Sequence, residues 1–454
     1  MGVPGSADFL NRPPWVALAL AAAVATALAC YPTWPGYMSY DSLLAYEQAR
    51  YGVRTALWPP LHSYMFFASR AVGADTWGLF LAQTFALLFG AGLTLHVLVD
   101  RRILAWALCG FFVGGLVFFP TLLGALGSQW RDVPTGSFAI LGLGLWLAGA
   151  QARSIPLLIL AILMMCVSVA LRYNAFVLVG PALALMVWRP FLGGGPSLLA
   201  RTVVVHLVIL GLVAAWASTQ WRLPDLLPLP NAQNFSATQE FDVIGVSACA
   251  GRNYLPAGIT NGQPISVAQI RRAYDPRHML MTLAPQPGVP RMLETNAGGA
   301  VERTWAHLLT AEPGCYLAHR AAVMVEQMGM AKDAVFYPTH GAIDANPFGL
   351  ALRHPQVSQQ VVNYVRAHAD ETIRRPWVLY GLAIILGLLA AARNRQAALL
   401  ILALVAGAFA YPALLFVAAP AADARYIFPS NVLSLLIVTL ALGLSLTRRE
   451  RVRR

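Results

Sequence analysis

The chain has 454 residues, of which 58% are hydrophobic and only 11% charged, where a soluble globular protein carries about a quarter charged residues. A mainly water-soluble enzyme, a disordered chain and a coiled coil are excluded, which leaves a membrane protein with many spans. The formal net charge of +12 resembles that of a nucleic-acid binder, but its placement along the chain points to membrane topology instead.

Segments without Asp, Glu, Lys or Arg fall near 15–31, 76–99, 103–122, 135–151, 155–171, 175–188, 202–219, 377–392, 397–419 and 431–446. Each is long enough, or nearly so, to cross a bilayer. The expected fold is an all-α polytopic membrane protein with about ten transmembrane helices. Seven of them lie in a module over 1–219, and three lie in a closing module over 377–454 that ends in a basic cytoplasmic tail. The 157 hydrophilic residues of 220–376 form an inserted, mainly helical (α or α+β) domain between helices seven and eight.

With the N-terminus inside, one face receives Arg12, Arg101, Arg102, Arg153, Arg189, Arg201, Arg393, Arg395, Arg448, Arg449, Arg451, Arg453 and Arg454. These thirteen bases meet only Asp8, Asp100 and Glu450, so this face carries +10; the other 19 bases and 17 acids leave +2 opposite. Positive charge concentrated in the short loops of one side marks that side as cytoplasmic. Both termini are therefore expected in the cytoplasm and the large domain in the periplasm of a bacterial inner membrane. The basic tail reads as a topology determinant or a contact for anionic membrane lipid, and no nucleic-acid partner is expected.

Residues 1–30 have the pattern of a signal peptide ending at Ala27-Leu28-Ala29-Cys30, but the stretch before the apolar run has no net positive charge and no small-x-small site precedes a polar mature start. An uncleaved first span is expected. Met1-Gly2 with Ser6 fits a myristoylation pattern, which carries little weight ahead of ten spans.

The first outside loop, 32–75, is longer than a turn requires. Leu43, Leu44, Tyr46 and Ala49 recur near helical spacing within 41–52, Trp58-Pro59-Pro60 interrupts, and 60–72 repeats an amphipathic pattern with Tyr64, Phe66 and Phe67. Two short helices lying in the membrane interface are expected, the second started by Pro60.

No expected span holds an acid, Lys or Arg, whereas ion-coupled carriers usually keep such groups near the midplane. His96 and His206 are the only imidazoles within spans and read as structural. Chemistry is therefore expected at the outside surface, where alternate connections each supply polar groups. Asp41 follows the first span, Trp130-Arg131-Asp132 joins spans three and four, Arg172-Tyr173-Asn174 joins five and six, and Arg425-Tyr426 joins the last two. Inside, Gly193-Gly194-Gly195 lacks the Lys and Ser/Thr context of a phosphate loop and reads as a connector.

In the hydrophilic stretch, helices are expected near 302–311 and 315–330, with Pro- and Gly-rich loops such as 284–300. Cys249 and Cys315 share this outside segment, an oxidising setting, and are expected to pair; Cys30, Cys109 and Cys166 fall in or beside spans as small hydrophobes.

This arrangement resembles the GT-C superfamily of membrane glycosyltransferases, which use polyprenyl-phosphate sugar donors. The resemblance rests on Ser39-Tyr40-Asp41-Ser42 in a long first outside loop with two interfacial helices, on Trp130-Arg131-Asp132-Val133-Pro134, on Arg425-Tyr426-Ile427-Phe428-Pro429, and on a seven-span module followed by a variable region. It covers mainly 15–220 and the last outside loop. It implies transfer of one hexosyl or pentosyl unit from a polyprenyl-phosphate donor to a cell-envelope glycan, lipid or protein acceptor on the periplasmic face.

The residues suit that chemistry independently. Transfer to a hydroxyl needs a base for its proton and a cation for the leaving phosphate. Asp41 suits the base if desolvation raises its pKa, and also suits a helix N-cap. Asp132 suits an orienting or metal-holding acid, or an ion pair with a neighbouring Arg. Arg172 and Arg425, with Arg131 beside Asp132, offer planar forks for phosphate or snorkel at span ends. His62, Tyr40 and Trp130 are further substrate-binding candidates, and Tyr37 and Trp58 could stack on sugar or belong to the interfacial aromatic belt. No metal motif is present; two acids could hold Mg²⁺ or Mn²⁺ weakly, and no cofactor is required. The rival functions are a flippase or transporter of a lipid-linked sugar and an O-antigen-type polymerase or ligase.

Overall fold

The computed structural model describes residues 13–52, 59–188, 204–205, 207–208, 211, 221–222, 227–228, 235–257, 264–278, 299–395 and 397–451. Trp58, His206, Gly193-Gly194-Gly195, the leader pattern at Met1-Gly2 and nearly all of the expected span 202–219 lie outside them. The described chain is all-helical apart from a two-residue antiparallel ladder, Trp221–Arg222 with Leu227–Pro228.

Six described helices or helical runs are long and apolar enough to cross a membrane: Trp15–Thr33, Asp75–Leu98, Asp132–Ala152, Pro376–Arg393, Ala398–Ala418 and Ala424–Thr447. The expected span 103–122 is not one straight helix. Arg102–Phe118 (α5) stops, and Pro120–Leu126 (α6) departs at 91°. Pro120 has no N–H for the ladder and pushes Phe119 into the extended region, φ −93° and ψ 98°. Ile155–Leu171 (α8) and Phe176–Trp188 (α9) are apolar but short, the latter preceded by a 3-10 turn at Tyr173–Ala175.

Two helices stand at the centre. Asp132–Ala152 (α7) packs against Asp75–Leu98 (α4) and α8, and Phe428–Arg451 (α17) packs against α5, α7 and Pro376–Arg393 (α15). In both central spans 94% of the apolar window is buried, against 28% for the first span, Trp15–Thr33. Because association in lipid has no hydrophobic drive between helices, close backbone approach supplies the packing. A Cβ on Gly90 would lie 2.5 Å from the Leu141 Cα, and one on Gly144 would lie 2.5 Å from the Gly90 carbonyl oxygen. Gly90→Val should therefore force α4 from α7 and cost at least the 1–3 kcal/mol typical of overpacking, read as a lowered unfolding midpoint in detergent. An unchanged midpoint would show that the two helices separate without cost.

The central helices α7 and α17 both begin at one end of the bundle, and α8 finishes there. A Cβ on Gly136 in the first turn of α7 would sit 2.9 Å from the Pro429 Cα of α17. Residues carried by three separate connections thus meet at one surface.

Two short helices cover that surface, Tyr40–Tyr51 (α2) and Leu61–Ala71 (α3), within a residue or two of the expected bounds. The α2 residues Leu43, Tyr46 and Ala49 pack on Phe66 of α3 and Leu79 of α4. The opposite side of α2 turns Asp41, Ala45 and Gln48 into a cavity.

Among the described residues of the hydrophilic stretch the α-helices are Ser236–Ala250 (α10), Val267–Ala273 (α11), Ala300–Ala311 (α12), Pro313–Gln327 (α13) and Pro355–His368 (α14). Cys249 of α10 and Cys315 of α13 form a disulfide with a Cα–Cα distance of 5.6 Å. The last span before the final connection is Ala398–Ala418 (α16). The stretch is tied directly to the span ends: Thr238 Oγ1 donates to the Ala418 carbonyl at 3.0 Å, and Arg320 to that of Ala419 at 2.7 Å.

Candidate active site

A miniature ribbon explains why distant loops meet. The Tyr37 N–H donates to the Gly127 carbonyl and the Gln129 N–H to that of Tyr37, each at 2.8 Å. On its other side the Met38 N–H donates to Ala342 at 3.0 Å, and the Asp344 N–H returns to Met38 at 2.9 Å. Gly36 enters this ribbon at φ +106°, with room for no Cβ because Gln129 Cγ would lie 2.8 Å away. Three residues after Met38 comes Asp41, and just after Gln129 come Trp130 and Arg131. Trp130 Nε1 donates to Ser39 Oγ at 3.0 Å and Ser42 Oγ to the Gln129 carbonyl at 2.9 Å, which locks the two loops in register.

The resulting cleft is partly open to solvent and is lined by Asp41, Gln48, His62, Trp130, Arg131 and Arg425, among others. Arg425 donates to Asp41 Oδ2 at 2.7 Å and to Asp423 Oδ2 at 3.0 Å. Its guanidinium lies 5.1 Å from the ring centres of both Trp130 and Tyr426. Arg172 forms an ion pair with Asp132, Nε to Oδ1 2.7 Å, and its guanidinium sits 4.7 Å from the Tyr426 ring centre. Tyr426 therefore joins the two ion pairs into one aromatic and guanidinium cluster.

The electrostatics correct one expectation. Burial pushes the Asp41 carboxyl upward, but Arg425, Arg131 and Arg172 together pull it further down, so its pKa lies below the usual carboxylate value. Desolvation does not win, because the guanidiniums that desolvate Asp41 also neutralise it. Arg131 is lowered to about 10 by burial and by repulsion from Arg172. Asp423 moves upward, since its burial outweighs its share of Arg425.

His62 is 5% exposed and its Nε2 has no hydrogen-bond partner among the described residues. Burial and the charge of Arg131 hold its pKa down to about 3, so the imidazole is neutral.

Tyr40 does not join the site. It is 68% exposed on the outer side of α2, one residue from Asp41 and so about 100° away around the helix. Asp132 is 1% exposed, and its engagement by Arg172 leaves it an ion-pair partner at the edge of the cavity. Tyr37 is fully buried and hydrogen-bonded with Ser358, so it holds the ribbon instead of stacking on a ligand. His96 Nδ1 donates to the Gly92 carbonyl within its own helix, at 3.0 Å.

Three contributors escape the sequence reading. Asp423 shares Arg425, and its only signal is the Asp-Ala-Arg spacing. Tyr337 and His340, hydrogen-bonded to each other, wall the site beside Trp130 at ring distances of 5.8 and 6.3 Å. They sit in an irregular loop that no periodicity marks.

Among the described residues no three His, Cys, Asp or Glu side chains gather as metal ligands. Asp41 and Asp132, the two acids that could share a cation, are each occupied by an arginine. Chemically the site offers an ionised carboxylate, guanidiniums for a phosphate, aromatic faces and a neutral imidazole within one cavity. No family model, no curated protein and no solved structure matches the chain.

Proposed function

We propose that this chain is an integral-membrane glycosyltransferase of the GT-C type. It moves one sugar from a polyprenyl-phosphate donor to an envelope glycan, lipid or protein acceptor at the periplasmic face of a bacterial inner membrane. Ten spans, cytoplasmic termini and a periplasmic 220–376 segment complete this reading. The observation that carries it is the 2.7 Å Asp41–Arg425 pair at a cavity that also holds Arg131 and Trp130.

The pair suggests how the step is arranged. A donor phosphate draws Arg425 and Arg131 toward its oxygens, where the guanidinium fork donates two hydrogen bonds. Asp41, relieved of part of its positive surroundings, gains proton affinity when the substrate is in place. The acceptor hydroxyl passes its proton to Asp41 and bonds to the anomeric carbon. The bond from that carbon to the phosphate oxygen breaks, and the electron pair leaves on the polyprenyl phosphate, whose charge the arginines balance.

The direct test is incubation of purified protein with radiolabelled polyprenyl-phosphate sugars, scoring release and transfer. Absence of both across hexosyl and pentosyl donors and envelope acceptors would sink the reading. Orientation is checked by a periplasmic reporter fused after Pro285, which should be active there.

A pH profile follows from the lowered pKa of Asp41. In the free protein it stays ionised until pH falls below the ordinary carboxylate value of about 4, and kcat/KM reports the free protein. The acid limb of kcat/KM should therefore lie below about pH 4. The contribution of the ion pair to stability has the same sign: present above the unfolded pKa and lost as pH drops through the folded one. A limb near 6 would assign the base to another group.

A further inference from the structure

The cavity is not uniform along its length. The charged groups, Asp41, Arg131 and Arg425, gather beside the first turn of α2. Gln48 lies seven residues further on, about 10 Å along the axis at 1.5 Å per residue. There the lining is polar without charge: Gln48, His62 and Ser63. Ser63 Oγ donates to Gln48 Oε1 at 2.9 Å, which joins α2 to α3 and fixes the amide. Ser63 is 2% exposed and His62 5%, so both are built into the wall and not loose on a surface.

Within this wall the His62 Nε2 is a buried polar atom without a hydrogen-bond partner among the described residues. Leaving such an atom unsatisfied costs about 1–3 kcal/mol, and proteins rarely tolerate it without a use. The ring is oriented by Phe66, 4.9 Å away between centres. The charged groups near it are Arg131 and Asp41, whose effects oppose each other. A hydroxyl-bearing group would find an imidazole nitrogen, a hydroxyl and a carboxamide, the set that reads alcohols as both donors and acceptors.

We infer that the Gln48–His62–Ser63 end of the cavity is a subsite for a neutral polyhydroxylated ring, with His62 Nε2 hydrogen-bonding one of its hydroxyls, while the Arg131–Arg425 end holds the phosphate to which that ring is attached. This rests on the transfer reading above and adds which wall selects the sugar. A ring lacking the matching hydroxyl leaves the nitrogen unsatisfied and is rejected.

The test compares binding of two probes to the purified full-length protein: bare polyprenyl phosphate, and the same lipid carrying glucose, mannose or arabinose. In the wild type at least one sugar ester should bind about three- to tenfold tighter than the bare lipid, the worth of one or two net hydrogen bonds. His62→Leu should erase that increment and leave bare-lipid binding unchanged, and His62→Asn should restore part of it. If every sugar ester binds no tighter than bare polyprenyl phosphate, the subsite is wrong while the phosphate site stands. Should bare lipid itself not bind, the transfer reading fails and the subsite with it. Equal weakening of both probes by His62→Leu would make His62 a packing residue and overturn the inference; the wild-type comparison decides even where a variant does not fold.

Discussion

Asp41→Asn should reduce kcat by about 10²–10⁴-fold, the usual contribution of a positioned general base, while leaving donor binding intact or tighter. The substitution is nearly isosteric and the side chain is 29% exposed, so the packing of α2 on Phe66 and Leu79 does not depend on it. What changes is charge. Without the carboxylate, Arg425 no longer divides itself between Asp41 and an incoming phosphate, so the dissociation constant for polyprenyl phosphate should hold or fall. A purely structural role for Asp41 predicts the reverse: weakened binding through a displaced Arg425, with kcat changed little in the fraction that binds. Single-turnover transfer set beside equilibrium donor binding separates the two. Unchanged transfer by the Asn variant would remove Asp41 from the chemistry altogether.

That prediction depends on a competition the sequence could not resolve. Alternation of apolar runs with short loops revealed which ends of the chain meet, since span direction reverses at each crossing and every second connection must share a surface. Asp41, Arg131, Arg172 and Arg425 were legible on that ground alone. The pairing among them was not. Whether Arg172 faces Asp132 or a ligand depends on how α7 and α8 rotate against each other, and rotation is decided by close contacts such as Gly142 against Met165. The sign of the Asp41 shift likewise depends on three guanidiniums arriving from three connections. Local signals served better where a single residue rules: Pro60 before α3 and the amphipathic stripe of α2 placed those helices closely. Pro120, read as lying inside a span, acts instead as the corner between α5 and α6, because its effect on Phe119 outweighs the apolar character of the run.

Asp242→Asn should destabilise the protein by about 3–5 kcal/mol, because it leaves a buried guanidinium without its counter-charge. Asp242 of α10 is 1% exposed and Arg320 of α13 is fully buried, and the two form an ion pair with Arg320 Nε 2.6 Å from Asp242 Oδ1. Burial holds the His319 pKa below its ordinary value, so His319 is not a second cation. Its Nε2 lies 3.2 Å from Asp242, and its Nδ1 is hydrogen-bonded to the Tyr274 hydroxyl at 2.7 Å. Trp305 Nε1 donates to the other carboxylate oxygen at 2.7 Å. Asn retains an acceptor for Trp305 but not the negative charge that Arg320 needs. Replacing both partners with apolar residues, Asp242→Leu with Arg320→Met, should recover much of the loss, since an intact buried pair is often no better than a hydrophobic one of similar volume. Arg320 does more than pair, however: it also bonds the Ala419 carbonyl, six residues before Arg425. The double variant should therefore regain its unfolding midpoint while donor affinity stays reduced, because the connection carrying Arg425 has lost its tie to α13. Equal recovery of midpoint and affinity would confine this network to holding the α10–α13 helices together, with no hold on the cavity.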